Sequence, residues 1–430
     1  MDKIDSVKCF NIKSGINLYY IPVTKFKTLA VSINFHRPLR KEEASLNALL
    51  ADVMRRGSEK YPDAIAISNY LQELYGAYFD VDVRRKGEDQ ILSFMMNTVS
   101  DQYLPDGGSA EKALDMLFDM ALCPLVQGGA FKKDYVEQEK VNLINDIEAI
   151  INDKRTYSVW RLVELMCEGD NYGVHELGTV EDVKRITPEM LYQHYLKVIK
   201  EGPIDIFVTG DTDIGKICTY AGEKFADIRP TKHGYPETDL YRSKWDSLEQ
   251  ITERFDVTQA KLCVGCRTGI GPLDDQYPAL MVYNGILGSG AHSKLFNNVR
   301  EKLSLAYYAA SRLERFKGMM VISSGIEITN KQKALDEIFV QMDAMKQGDI
   351  SDYEFDATIK SIVNSLRSLG DDIGYLEDYY LGQVVTGTKT SLSDFAEQIQ
   401  RVTPENVVKV AQQVKPELVY FLTAKGEGAE

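Results

Sequence analysis

An internal repeat limits the possible folds more than any other feature of this chain. A shift of 231 residues brings Leu49 onto Leu280, Gly57 onto Gly288, Gly87 onto Gly318 and Ser93 onto Ser324. Farther along, Lys112-Ala113-Leu114-Asp115 matches Lys333-Ala334-Leu335-Asp336 at an offset of 221, the loss falling at the extra loop around SDQYLPDGGSA. Ile186-Thr187-Pro188-Glu189 then matches Val402-Thr403-Pro404-Glu405 at an offset of 216. Each match is short, but their fixed order implies two copies of one supersecondary unit. A chain of 430 residues is also too long for a single core. The expectation is two related α+β domains, 1–225 and 253–430. Between them, residues 226–252 are polar, contain Gly and Pro, and read as a linker.

Periodicity fills in the repeat. GINLYYIPV and TLAVSINF read as two strands around a turn, and residues 43–56 as an amphipathic helix stopped by Gly57. A helix over 64–75 follows, then strands over 78–85 and 90–98 split at Lys86-Gly87. Helices are expected over 111–122, 132–153 and 157–167. Thr187 caps another, with Pro188 at its first position, before the strand IDIFVTGD and a last helix toward Phe225. In the second copy a glycine-rich loop at Gly285, Gly288 and Gly290 precedes a helix capped by Ser293. Its stripe is Leu295, Phe296, Val299 and Leu303, and Arg300 lies off it.

Charge and composition exclude several functions. With 64 acidic and 50 basic residues the net charge is −14, which disfavours nucleic acid and anionic membrane surfaces as partners. No apolar run is long enough to span a bilayer. The segment MDKIDSVKCFNIKSG lacks the apolar core of a secretory signal, and six scattered cysteines suit reduced thiols, so a cytoplasmic setting is expected. No phosphate loop and no Gly-x-Ser-x-Gly elbow occur. Cys263 and Cys266 fall in an expected strand, where i and i+3 side chains diverge. The histidines, His36, His175, His194, His233 and His292, include no pair at helical metal-ligand spacing.

The two repeats, the linker and the segment SKLFNNVREKLSLAYYAAS after a glycine-rich loop resemble the pitrilysin/insulinase-type metallopeptidases, in particular the processing-peptidase-like subgroup. The resemblance implies a half-clamshell of two αβ domains, each a mixed or antiparallel sheet packed with helices. Active members of that family carry His-x-x-Glu-His on a helix of the first repeat. Two imidazoles one turn apart ligate zinc there, and the glutamate beside them is the general base. In such enzymes the motif is followed by Gly-Thr-Glu-Lys-x-Pro; here that stretch is Gly57-Ser58-Glu59-Lys60-Tyr61-Pro62. Counting back places Ala48 and Asp52 at the histidine positions and Ala51 at the base position. On the second helix Glu139 keeps the first acidic position and Asp146 stands at the ligand position. Carboxylates without imidazole or thiolate make a poor zinc site, so neither metal nor cofactor is expected in this chain.

The family's substrate-holding arginine and tyrosine are intact as Arg300 and Tyr307, and Gly288 and Gly290 belong to the loop that contacts substrate in related non-catalytic subunits. The resemblance therefore implies a non-catalytic subunit of a heterodimeric zinc endopeptidase. A zinc-motif paralogue would supply the metal, and the substrate would be a peptide. The other expectation is a pseudoenzyme scaffold or peptide-binding module acting as a homodimer.

Overall fold

The computed structural model describes residues 7–105, 107–231 and 234–425. His233 lies outside them. In chain order the first half contains β1 (Lys8–Lys13), β2 (Ile16–Pro22), β3 (Thr28–Pro38), α1 (Lys41–Arg55), α2 (Ala64–Glu73), β4 (Tyr78–Lys86), β5 (Asp89–Val99) and α3 (Ser109–Leu122). The short strands β6 (Val126–Gln127) and β7 (Ala130–Phe131) come next, then α4 (Lys133–Ala149), α5 (Lys154–Met166), α6 (Val180–Arg185), α7 (Pro188–Val198), β8 (Ile204–Gly210) and α8 (Ile214–Lys224). The second half contains β9 (Glu249–Phe255), β10 (Ala260–Arg267), α9 (Tyr277–Gly288), a π-helix (Leu295–Lys302), β11 (Ala306–Glu314) and β12 (Met319–Ile326). It ends with α10 (Lys331–Gln347), α11 (Asp352–Leu369), α12 (Ile373–Thr386), α13 (Leu392–Gln400), α14 (Pro404–Gln413) and β13 (Lys415–Ala424).

The first sheet runs β1-β2-β8-β3-β5-β4 and the second β9-β13-β10-β12-β11. Apart from the extra β1, the two orders match strand for strand. The pairs β2–β8 and β9–β13 are parallel, and every other pair among these ten strands is antiparallel. Helix starts repeat as well. Thr187 caps α7 through the Met190 amide and Thr403 caps α14 through the Asn406 amide, each with proline at the first position.

Several expectations need correction. GINLYYIPV and TLAVSINF form β2 and β3, but they are not neighbours, because β8 pairs with both. Residues 249–252, read as linker, begin β9 in the second sheet. The linker is anchored further by Tyr235, whose hydroxyl donates to Asp205, and by buried Tyr241, whose hydroxyl donates to Glu417. α1 is buried on nearly all sides instead of being amphipathic. β1 and α6 carry too weak a period to be anticipated.

The compact units also differ from two contiguous halves. The first comprises 1–148, 174–237 and 371–385; the second comprises 149–173, 238–370 and 386–430. Helix α5 of the first repeat thus belongs to the second unit, and α12 of the second repeat to the first.

Strand alternation sets what each sheet face holds. In β3 the odd residues Leu29, Val31, Ile33 and Phe35 join the apolar core of the first unit, together with residues of α1, α3 and α7. The even residues Ser32, Asn34 and His36 point the other way, and Ser32 donates to Glu377 of α12. In the second unit, Leu162, Val163 and Met166 of α5 pack with Cys263, Met319, Val321 and Tyr420 of the sheet. Gly265 makes this approach possible, since a Cβ there would lie 2.2 Å from Met166 Sδ. Among the described residues no helix is long and apolar enough to cross a membrane.

Gly265→Val is therefore expected to destabilise by about 1–3 kcal/mol through overpacking. Gly222→Ala, in α8 with no atom within 4 Å of the new Cβ, is expected to stabilise by about 0.5–1 kcal/mol. Urea unfolding midpoints of the two variants check both signs.

Candidate functional site

Helix α1 carries Ala48, Ala51 and Asp52, the three positions that the resemblance sets against the zinc motif, and it is part of the core. Ala48 and Ala51 are only 4% and 2% exposed and lie in the apolar cluster of the first unit. Of the three motif positions only Asp52 reaches water, and Arg55 donates to it at 3.1 Å. Arg55 also approaches Asp80 of β4 at 3.5 Å. Buried Glu139 on α4 accepts from Arg56 at 2.7 Å and from Asn142 Nδ2 at 2.9 Å. Asp146 is exposed. Burial pushes the Asp52 carboxyl up to about 6, against Arg55 and with help from Glu139 and Asp146.

These residues do not fit zinc. Imidazole is absent, alanines fill the cradle, and the buried carboxylate is already engaged by a guanidinium. Among the described residues no group of three or more His, Cys, Asp or Glu side chains is placed to hold a metal ion.

The histidines occupy structural positions. His194 on α7 lies 2.7 Å from Asn47 Oδ1 through Nε2, and Asn47 donates on to Gln90, which fixes the rear of α1. Burial lowers His194 to about 4, so it is neutral there. His292 lies 2.9 Å from the Thr358 hydroxyl, and His175 Nδ1 accepts the Leu177 amide. Cys263 and Cys266 are buried in β10, and burial pushes both thiols up, Cys263 to about 11.

The second-repeat segment has an irregular backbone at three nearby points. Arg300 lies on the π-helix, a form often found at functional sites. Ser304 follows with φ of +50°, rare for a residue with a side chain. In β11, Ala306 pairs with Ile326 and Tyr308 with Gly325, so Tyr307 is the bulged residue, 57% exposed. Arg300 reaches Glu301 at 3.5 Å and stacks over Phe296. The Tyr307 hydroxyl donates to Glu327 at 2.8 Å, and that carboxylate pushes the phenol up. No hydrogen bond joins Arg300 to Tyr307 among the described residues.

The glycine loop is smaller than expected. Gly285 and Gly288 lie inside α9. A Cβ on Gly288 would stand 2.5 Å from the Ser311 amide, so close packing on β11 accounts for that glycine. Only Gly290 is a loop residue, with φ of +119°. The π-helix also changes the stripe: Leu295 and Val299 are buried, while Leu303 lies beyond its end and is exposed. Ser293 still accepts the Phe296 amide, as expected of a cap.

A buried polar layer on the first sheet went unseen in the sequence. His36 Nδ1 lies 2.6 Å from Asp89 and Nε2 lies 3.0 Å from Asp205. Burial opposes the charge, but the two carboxylates outweigh it and push His36 up to about 10. Tyr235 donates to Asp205 and lies 3.3 Å from the Tyr19 hydroxyl. Five positions far apart in sequence converge here, and no local spacing signals them.

The raised pKa of Asp52 makes a signed prediction. The folded state binds more protons than the unfolded state between about pH 4 and 6, so ionised Asp52 costs stability above that window. Asp52→Asn is expected to raise stability by about 1–3 kcal/mol at pH 7.5 and to leave it nearly unchanged at pH 4. Urea unfolding of both proteins at the two pH values tests the sign.

Comparison with known proteins gives the family. The family profile described as Peptidase M16 inactive domain matches residues 185–362. The probable inactive metalloprotease YmfF of Bacillus subtilis (strain 168) is 37% identical, over 96% of this chain and 97% of that protein. The crystal structure of a conserved protein from Enterococcus faecalis V583 matches with a TM-score of 0.92 at 31% identity, covering 99% of this chain and 100% of that one. A chain of complex III2 from Candida albicans shares the fold, with a TM-score of 0.74 at 16% identity over 97% of this chain and 96% of that one. With identity above one third across nearly the whole length of a probable inactive metalloprotease, the chain belongs to the peptidase M16 family, the pitrilysin/insulinase-type metallopeptidases, as an inactive homologue.

Proposed function

We propose that this inactive homologue is the non-catalytic subunit of a two-chain zinc endopeptidase acting on peptides. The observation that carries the proposal is the contrast between its two repeats. The motif face of α1 is closed by alanines, while Arg300 and Tyr307 stand exposed on a π-helix and a β-bulge. A guanidinium and a phenol can both donate to a carbonyl oxygen that gains charge as water attacks. The zinc, its activated water and the glutamate base would come from a paralogue with an intact motif. This chain itself is proposed to hold no zinc.

A peptide would bind by adding a strand to a sheet edge, and β11, the last strand of its sheet, carries Tyr307. Gly290 would line the approach. The thiols Cys9 and Cys123 at the surface suit a reducing cytoplasm.

A second reading is a homodimeric scaffold or peptide-binding module without proteolysis. It draws support from the local partners that Arg300 and Tyr307 already have in Glu301 and Glu327, and from the complex III2 relative.

The test is to purify the chain alone and with a zinc-motif paralogue. Alone, no peptide cleavage is expected. In the pair, Arg300→Ala and Tyr307→Phe are each expected to lower kcat/KM by about 10²-fold or more, the usual effect of removing one oxyanion donor. Unchanged activity in both variants, or a stable homodimer that ignores the paralogue, would exclude the two-chain reading.

A further inference from the structure

Two helices are exchanged between the repeats, and their seats differ in chemistry. Helix α5 sits on an apolar face, with Leu162, Val163 and Met166 against Cys263, Val321, Leu418 and Tyr420. Helix α12 sits on a charged one. Arg84 of β4 donates to Glu377 at 2.9 Å, to Asn34 at 2.6 Å and to Ser93 at 2.8 Å, and Ser32 donates to Glu377 at 2.8 Å. Lys86 holds Asp378 at 2.5 Å, and Lys25 holds Asp371 at 2.7 Å. The repeat makes the comparison direct: at the shift of 231, Ser32 and Asn34 correspond to Cys263 and Gly265, and Lys86 to Lys317. Lys317 makes the same kind of clasp as Lys86, to Asp170 at 2.6 Å. Both seats therefore share a lysine at the hairpin turn; the α5 seat keeps its ion pair at the margin, Arg161 with Glu253 at 2.8 Å, and is apolar at its centre, where the α12 seat is ionic. Leu376, Tyr380 and Leu381 of α12 are buried, yet they lie outside the large apolar cluster of that unit.

We infer that α12 is a reversibly docked element, released from the first sheet while the rest of the fold stays intact, and that α5 is its permanently seated counterpart. A buried ion pair gains little over the separated, hydrated charges, because desolvation offsets most of the attraction. Burial of apolar groups on α5 has no such offset. The uncovered faces also differ. With α12 lifted, Ser32, Asn34, Ser93 and Arg84 can all bond to water while Leu376, Tyr380 and Leu381 of the helix lose cover, whereas lifting α5 would bare apolar groups of helix and sheet alike, Leu162 and Met166 with Val321, Leu418 and Tyr420. Local opening is thus favoured at α12, and it would bare a polar sheet face able to accept a carboxylate in place of Glu377.

Hydrogen–deuterium exchange with peptide mapping of the full chain tests this. Amides of α12 are expected to exchange at least about tenfold faster than those of α5. The double variant Arg84→Met/Glu377→Leu, which makes the centre of the seat apolar, is expected to slow α12 by at least about tenfold and to leave α5 within about twofold. Glu377→Leu alone removes the nearest carboxylate from Arg84 and is expected to speed α12. Equal rates for the two helices in the unmodified chain overturn the inference, as does a double variant with unchanged α12 exchange. A double variant that fails to fold also overturns it, because the charges would then be indispensable to docking.

Discussion

Alternation along β3 is the constraint on which the first unit depends. Its odd residues are apolar and close the core against α1, α3 and α7. Its even residues, Ser32, Asn34 and His36, are polar and fully buried. A buried polar group without a partner costs more than a missing apolar contact, so this face accepts only elements that bring complementary groups. Glu377 meets Ser32, and Tyr235 meets the Asp205 that neighbours His36. One strand thereby selects both an exchanged helix and a stretch of linker.

The helix that the resemblance sets against the zinc motif belongs to the same core. In a working member of this family the motif face must stay open to water and substrate. Here Ala48 and Ala51 contribute apolar surface, so the corresponding face of α1 is buried. Two of the acids nearby, Asp52 and Glu139, are held by Arg55 and Arg56. The rear of α1 is fixed by Asn47, Gln90 and His194, a polar arrangement independent of any metal.

Much of this architecture was legible in the residues, for definite reasons. The duplicated Lys-Gly turns, the Thr-Pro helix starts and the apolar strands are local signals, and each appears where its local physics requires. The helix exchange was not legible, because a period of 3.6 tells which face of α5 is apolar but not which sheet covers it. Strand β9 was hidden in a polar stretch, since an edge strand exposed on one side needs few apolar residues. The candidate site was legible as residues but not as geometry. Arg300 and Tyr307 could be picked out, whereas the π-helix and the bulge that orient them depend on packing with β12 and α10.

The exchanged helices also impose an order on synthesis. The chain passes between the compact units at 148/149, 173/174, 237/238, 370/371 and 385/386. A ribosome delivers β3, β5 and β8 early, but the sheet they form lacks its cover until α12 has emerged, near residue 385 of 430. From about residue 210 to residue 385, then, the first sheet must stand with one face unsealed. An apolar face in that state would be a template for aggregation. A face of serine, asparagine, histidine and arginine remains hydrated while it waits, so the polar layer allows a chain of this connectivity to be made from one end to the other.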